Sequence, residues 1–273
     1  MSKIFAHATK QNPCTVCGKT DWCTFGDKAQ LCQRIESSRP HAKGGWWHFY
    51  DEKKSNLQVT IPKSRPAPAP LDAEAKMETC QGIEIDYWAN ELGVSRDSLE
   101  ALGAGYNTQH KALAFPMSDG DGKYIGIRLR NQAGDKWAVL GSRQGVFVPN
   151  CEPKQVAYLP EGPTDTAALL TMGLFAIGRP SCTGGNEIIA QTLKRLKIHR
   201  VVIVADNDEL KQLGQRQGRP GIEGAIKLKK ELGLSSVIWF PPAPIKDARA
   251  FLKAGGTRQV IESEIKNKVW SKK

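Results

Sequence analysis

Five acidic residues stand where an α/β fold gathers functional groups. Glu161 and Asp165 occur in Glu161-Gly-Pro-Thr-Asp165, directly after the apolar stretch 155–160. Asp206 and Asp208 follow Arg200-Val-Val-Ile-Val-Ala205, and Asp247 lies beyond Ser236-Val-Ile-Trp-Phe240. Each apolar run predicts a strand, so the acids fall at strand carboxyl ends, where open α/β sheets place their sites. Carboxylates brought together repel and raise one another's pKa unless cations neutralise them. Oxygen-only donors favour Mg²⁺ or Mn²⁺ over zinc. An ion held there bridges a triphosphate and stabilises in-line phosphoryl transfer. Any one of these acids would serve equally well as a helix cap or a solvated turn. As a set they predict a divalent-metal site.

A second constellation is made of thiols. Cys14, Cys17, Cys23 and Cys32 fall within nineteen residues with the spacing C-x2-C-x5-C-x8-C. Four thiolates suit a tetrahedral structural Zn²⁺, and a segment this small needs the metal to fold. The second pair is irregular, so His41 or His48 remains an alternative to one cysteine. Trp22, Phe25, Trp46, Trp47, His48, Phe49 and Tyr50 surround the cluster, interspersed with Arg34, Arg39 and Lys43. Aromatic faces with nearby cations suit single-stranded nucleic acid; the same rings would also build a mini-core.

These groups need elements to hold them. Residues 83–106 predict helix broken at Gly93 and Gly103-Ala-Gly105. Ala112–Asp119 and Tyr124–Arg130 predict a hairpin about the turn Gly120-Asp-Gly122. Arg128 and Arg130 then share one strand face, and Lys136 and Arg143 continue a basic side suited to phosphate groups. After Glu161, a helix is expected from about Thr164 or Asp165. Then follow a short strand at 175–178, a Gly-rich turn at 181–185 and a helix at about 187–196. The run 200–205 reads as a central parallel strand buried on both faces. A helix at 221–232 and the strand at 236–240 complete an alternating β/α order, which specifies a parallel sheet.

The 273 residues carry 39 Lys+Arg against 28 Asp+Glu, a formal net charge of +11. Residues 1–61 carry a net +4, 62–150 a net −1, and 151–273 a net +8. The excess favours an anionic partner, nucleic acid first. Pro62-Lys-Ser-Arg-Pro-Ala-Pro-Ala-Pro70 reads as a semi-rigid polyproline tether between two modules. No apolar stretch is long enough to span a membrane, and no secretory leader is evident, so a membrane association is not expected. Gly18-Lys19-Thr20 is no P-loop, because Pro13 stands where the upstream Gly belongs.

The combination Glu161-Gly-x-x-Asp165, Asp206-x-Asp208 and Gly221-x-x-x-Ala225 resembles the Toprim domain. The hairpin Phe115-Pro-Met-x-Asp119 through Gly126-Ile-Arg128-x-Arg130 resembles the N-terminal lobe of the bacterial replicative primase core. With a zinc-binding segment in front, the order resembles DnaG-type primases and phage primase-helicases over nearly the whole chain. The resemblance implies a zinc-ribbon-like β module at 1–61, a Pro/Ala-rich linker at 62–80 and a small α+β lobe at 81–150. It implies a Rossmann-like α/β Toprim sheet at 151–260 and a basic tail at 261–273. It further implies a cytoplasmic DNA primase, of bacterial, plasmid or phage origin, that makes RNA primers on single-stranded DNA from ribonucleoside triphosphates.

In that family's pattern, Glu161 is base or site organiser, and Asp206 and Asp208 hold Mg²⁺ or Mn²⁺, with Asp165 and Asp247 as further metal-site acids. Arg128, Arg130 and Lys136 hold template or nucleotide. The sequence departs from the pattern in its cysteine spacing and in a basic insertion, Glu209–Pro220, that carries Lys211, Arg216 and Arg219. It also departs in having only a short tail after the Toprim sheet. With no Walker A motif, a separate replicative helicase is expected as partner. The competing reading is a non-catalytic Toprim and zinc-finger DNA-binding protein of the recombination-mediator kind; a Toprim nuclease is a third.

Overall fold

The computed structural model describes residues 6–9, 11–26, 28–41, 45–50, 69–80, 84–213 and 216–266. Residues 62–68, the tail beyond 266, Lys43 and the side chains of Lys211 and Arg216 lie outside them. The chain divides into two compact units, residues 1–68 and 69–273.

The first unit is a four-stranded antiparallel sheet of β1 (Ala6–His7), β2 (Thr24–Phe25), β3 (Ala29–Cys32) and β4 (Trp46–Phe49), in that order. Its core is small. Ala8, Cys14, Cys23 and Cys32 are buried, with Val16, Cys17, Phe25 and Ile35 packed against them. So little apolar area stabilises a fold only weakly without a metal or disulfide.

The second unit begins with α1 (Ala73–Glu78), α2 (Ile85–Leu92) and α3 (Arg96–Ala101). In α2 the buried residues are Ile85, Trp88, Ala89 and Leu92, one face of a helix. Ser95 caps α3 by accepting the Ser98 N–H at 3.2 Å. An antiparallel sheet follows in the order β5 (Gly105–Asn107), β6 (Ala112–Ser118), β7 (Tyr124–Arg130) and β8 (Lys136–Ala138). Every residue of β6 is buried.

The parallel part comprises β9 (Val156–Leu159), α4 (Gly162–Thr171), α5 (Asn186–Arg195) and β10 (Arg200–Val204). A hairpin of β11 (Lys211–Leu213) and β12 (Arg216–Gly218) then precedes α6 (Pro220–Leu232), β13 (Ser235–Trp239), α7 (Ala248–Lys253) and α8 (Arg258–Lys266). The strand order is β13-β10-β9, all parallel. The run at 175–178 forms no continuous strand. It touches the sheet through parallel bridges Tyr158↔Ala176 and Glu161↔Arg179, and Phe147↔Gly178 joins it to the preceding segment.

Burial explains the sequence of β10. Val201 and Ile203 pack with Ile189, Leu193, Ala225 and Leu228 of α5 and α6 on one face. Val202 and Val204 pack with Leu169, Phe251, Ile261 and Ile265 of α4, α7 and α8 on the other. A strand covered on both sides reads as a continuous β-branched run. Among the described residues no helix is long and apolar enough to cross a membrane.

Candidate active site and metal centre

The carboxyl ends of β9 and β10 open onto a crevice of about 170 Å³. Four acids, Glu161, Asp165, Asp206 and Asp247, line it together with Arg128, Lys136 and Lys246. All of these except Lys246 are among the residues singled out in the sequence. Asp208 is buried beside it, its Oδ2 accepting the Gly221 N–H at 3.3 Å. Arg130 is also outside the lining, and its Nη1 donates to the Gly134 carbonyl at 3.4 Å.

Local rules place each acid. Glu161 is the extended residue between β9 and α4. Gly162 turns the chain at φ +71°, a conformation that side chains disfavour, with open space where a Cβ would be. Helix α4 starts there, earlier than the expected Thr164 or Asp165, because Pro163 tolerates a first turn in which its missing N–H has no partner to lose. Asp165 is therefore inside the first turn. It is buried, and its Oδ1 accepts the Arg249 N–H at 2.9 Å. Asp247 caps α7, accepting the Ala250 N–H at 2.8 Å. Both acids thus also meet the structural need of one short helix.

Asp206 is held by its neighbours. The Ala205 N–H donates to Trp239 O at 2.9 Å and the Asn207 N–H to Lys246 O at 2.7 Å. Gly221 abuts it so closely that a Cβ there would lie 2.9 Å from Asp206 O and 3.2 Å from its Cβ.

The electrostatics ask for a cation. Burial, then repulsion from Asp165, Glu161, Asp247 and Asp208, pushes Asp206 up to about 7. Burial and the charge of Asp247 push Asp165 up to about 6. Burial also raises Glu161, against the pull of Arg179. In the same crevice, desolvation lowers Lys136 and Arg128. Arg128 Nε is buried with no hydrogen-bond partner among the described residues. The acids do not close into a compact all-protein cage; among the described residues only the four cysteines form such a group. Oxygen donors spread around a crevice fit an ion of the Mg²⁺ type, which keeps several waters and takes other ligands from substrate phosphates.

One buried group was missed. Arg179 is 1% exposed and donates to the carbonyls of Leu159 (3.0 Å), Cys182 (3.4 Å) and Val204 (3.0 Å), and to Glu161 Oε1 (3.4 Å). An arginine directly after the apolar run 175–178 was the available signal.

The four cysteine sulfurs lie within 4.8 Å of one another, which fits one tetrahedral Zn²⁺. Gln30 Nε2 donates to Cys14 Sγ at 3.2 Å, and the Gln33 N–H to Cys23 Sγ at 3.5 Å. The Arg34 and Ile35 N–H groups reach Cys32 Sγ at 3.4 and 3.3 Å. Burial pushes the Cys23 thiol up to about 12 and raises Cys32, so thiolates there require a bound cation. Neither histidine joins the group. His48 Nε2 lies 3.0 Å from Ile35 O, and the His41 ring stands edge-on to Trp47. Trp22 is 76% exposed, Phe49 and Tyr50 are exposed, and the Arg39 guanidinium lies 4.7 Å from the Phe49 ring centroid. Trp46 and Trp47 are half-buried in β4.

No protein-family model and no curated protein matches the sequence. Solved structures do match. A DnaG primase catalytic domain bound to single-stranded DNA is 13% identical with a TM-score of 0.52, over 71% of this chain and 77% of that one. A DNA primase domain from Pseudomonas aeruginosa is 13% identical with a TM-score of 0.52, over 72% and 77%. The zinc-binding and RNA polymerase domains of the Aquifex aeolicus primase are 15% identical with a TM-score of 0.52, over 70% and 59%. At these identities the likeness is one of fold. The chain has the fold of DnaG-type primase cores. It comprises a Toprim-like parallel sheet with its α+β lobe and, at the N-terminus, a zinc-ribbon-like β module.

Proposed function

We propose that the protein is a DNA primase that joins ribonucleotides into short RNA primers on single-stranded DNA. The observation carrying this reading is a crevice, in a primase-core fold, lined by Glu161, Asp165, Asp206 and Asp247 together with Arg128, Lys136 and Lys246. Carboxylates and cations lining one crevice suit a metal–triphosphate complex, in which the acids would take the ion and the basic side chains the phosphate oxygens.

Asp206 and Asp208 would hold Mg²⁺ or Mn²⁺, with Asp165 and Asp247 supporting them through charge. When bound, the ion neutralises the triphosphate and favours attack at its α-phosphorus. The 3′-hydroxyl of one nucleotide forms the new P–O bond, the bond to pyrophosphate breaks, and the hydroxyl proton passes to Glu161 or to water. Arg128, Arg130 and Lys136 bind phosphate oxygens of nucleotide or template. Zn²⁺ on Cys14, Cys17, Cys23 and Cys32 orders the first unit, whose exposed Trp22, Phe49 and Tyr50 offer stacking faces to unpaired bases.

The test is synthesis. Purified protein with single-stranded DNA, four ribonucleoside triphosphates and Mg²⁺ or Mn²⁺ yields short oligoribonucleotides. Strand cleavage in metal without nucleotides would point to a nuclease instead. DNA binding with neither reaction would point to a non-catalytic module.

A further inference from the structure

Arg179 is the buried cation beneath the carboxylate cluster, and its environment is more specific than charge burial requires. Its backbone brackets Glu161: its N–H donates to Pro160 O at 2.8 Å, and its carbonyl accepts the Gly162 N–H at 2.8 Å. Its side chain spans the ends of two strands, with Nε on Leu159 O and Nη2 on Val204 O, both at 3.0 Å. The same Nη2 meets Glu161 Oε1 at 3.4 Å. The guanidinium is thereby locked by three carbonyls before it touches the carboxylate.

A fixed planar fork sets a carboxylate's orientation as a lysine would not. A buried arginine facing only carbonyls would be left with its charge uncompensated. Glu161 is the anion within hydrogen-bond reach, and Asp206 also lies close enough to favour the charged guanidinium.

We propose that Arg179 is a positioning residue: it engages Oε1 of Glu161, leaves the other oxygen to the crevice, and supplies a permanent positive charge to the acid cluster. The inference rests on reading Glu161, Asp206 and Asp208 as the divalent-ion site. Without Arg179, Glu161 is free to offer its full carboxylate to the ion.

The test is a double-mutant cycle with two readouts, Mn²⁺ affinity by electron paramagnetic resonance and primer synthesis, on the full chain. The proteins are wild type, Glu161→Gln, Arg179→Met and the double variant, with Arg179→Lys replacing Arg179→Met if the latter does not fold. In the Arg179→Met background, Glu161→Gln costs at least about threefold more Mn²⁺ affinity than in wild type, as expected of groups in contact. For synthesis, either single change lowers kcat by about 10²-fold at nearly constant KM for nucleotide, and the double variant is no slower than Glu161→Gln alone.

Independent effects on Mn²⁺ affinity would overturn the proposal. So would failure of both Arg179 variants to fold, which would leave stability as the residue's whole role. A coupled Mn²⁺ cycle in a protein that makes no primer would uphold the positioning role and remove the proposed reaction.

Discussion

Arg130 of β7 and Lys136 of β8 stand directly opposite each other across the antiparallel ladder. Like charges in that register repel, and the Asp165 carboxylate, which attracts Lys136, offsets that repulsion. Arg128 lies two residues along the same strand, with Nε unpartnered among the described residues. With the two effects opposed, Lys136→Ala is expected to change stability by no more than about 1 kcal/mol. The same change weakens nucleotide or template binding about tenfold, the scale of one charge-assisted hydrogen bond. Thermal melts and equilibrium binding on the same sample check both. A loss of stability with intact binding would make the pair merely structural.

The raised carboxyl groups predict a pH dependence. Asp206 and Asp165 hold their protons more tightly in the folded than in the unfolded chain. Their contribution to stability is full below about pH 4 and is lost as pH rises through about 6 and 7. A divalent ion competes with those protons, so its stabilisation grows over the same window. Calorimetric melts with and without Mg²⁺ should differ more at about pH 8 than at about pH 6. An equal shift at both would argue against the ion binding at these acids.

Gly221 is a steric prediction. The Cβ of an alanine there would press on the Asp206 backbone at 2.9 Å. Gly221→Ala is expected to cost about 1–3 kcal/mol of stability, as overpacked sites do. It also lowers synthesis about 10²-fold through displacement of Asp206. Wild-type rates in a stable Gly221→Ala protein would show that the position of Asp206 is unimportant.

The first unit depends on metal. Elemental analysis should find about one zinc per chain. Chelation should abolish the near-ultraviolet signal of Trp22, Trp46 and Trp47 in residues 1–68 while the core of the second unit stays folded. Retention of that signal after complete zinc removal would contradict the assignment.

Much of this was legible in the residues because each chemical group sits where a local rule puts it. The five-residue run of β10 has to be a strand buried on both faces, so Asp206 had to emerge at its end. The cysteine spacing likewise forecast the sulfur cluster. Three things were not legible. The run at 175–178 has strand composition but makes only isolated bridges, because pairing depends on partners far away in the chain. Arg179 was not singled out in the sequence, since three of its four partners come from segments 18 to 25 residues distant. The bond from Asp165 to α7 follows from the packing of α4 on α7, which periodicity alone does not specify, whereas the capping of α7 by Asp247 is local.

The central claim is template-directed synthesis in the crevice lined by the acids and the basic side chains. The direct measurement is oligoribonucleotide formation on single-stranded DNA by wild type and Asp206→Asn, with DNA binding followed in parallel. The account predicts short products from the wild type in Mg²⁺ or Mn²⁺, and at least about 10²-fold less from a folded Asp206→Asn protein that still binds DNA. Equal synthesis by the two proteins, or none from a folded, DNA-binding wild type with either ion, would contradict it.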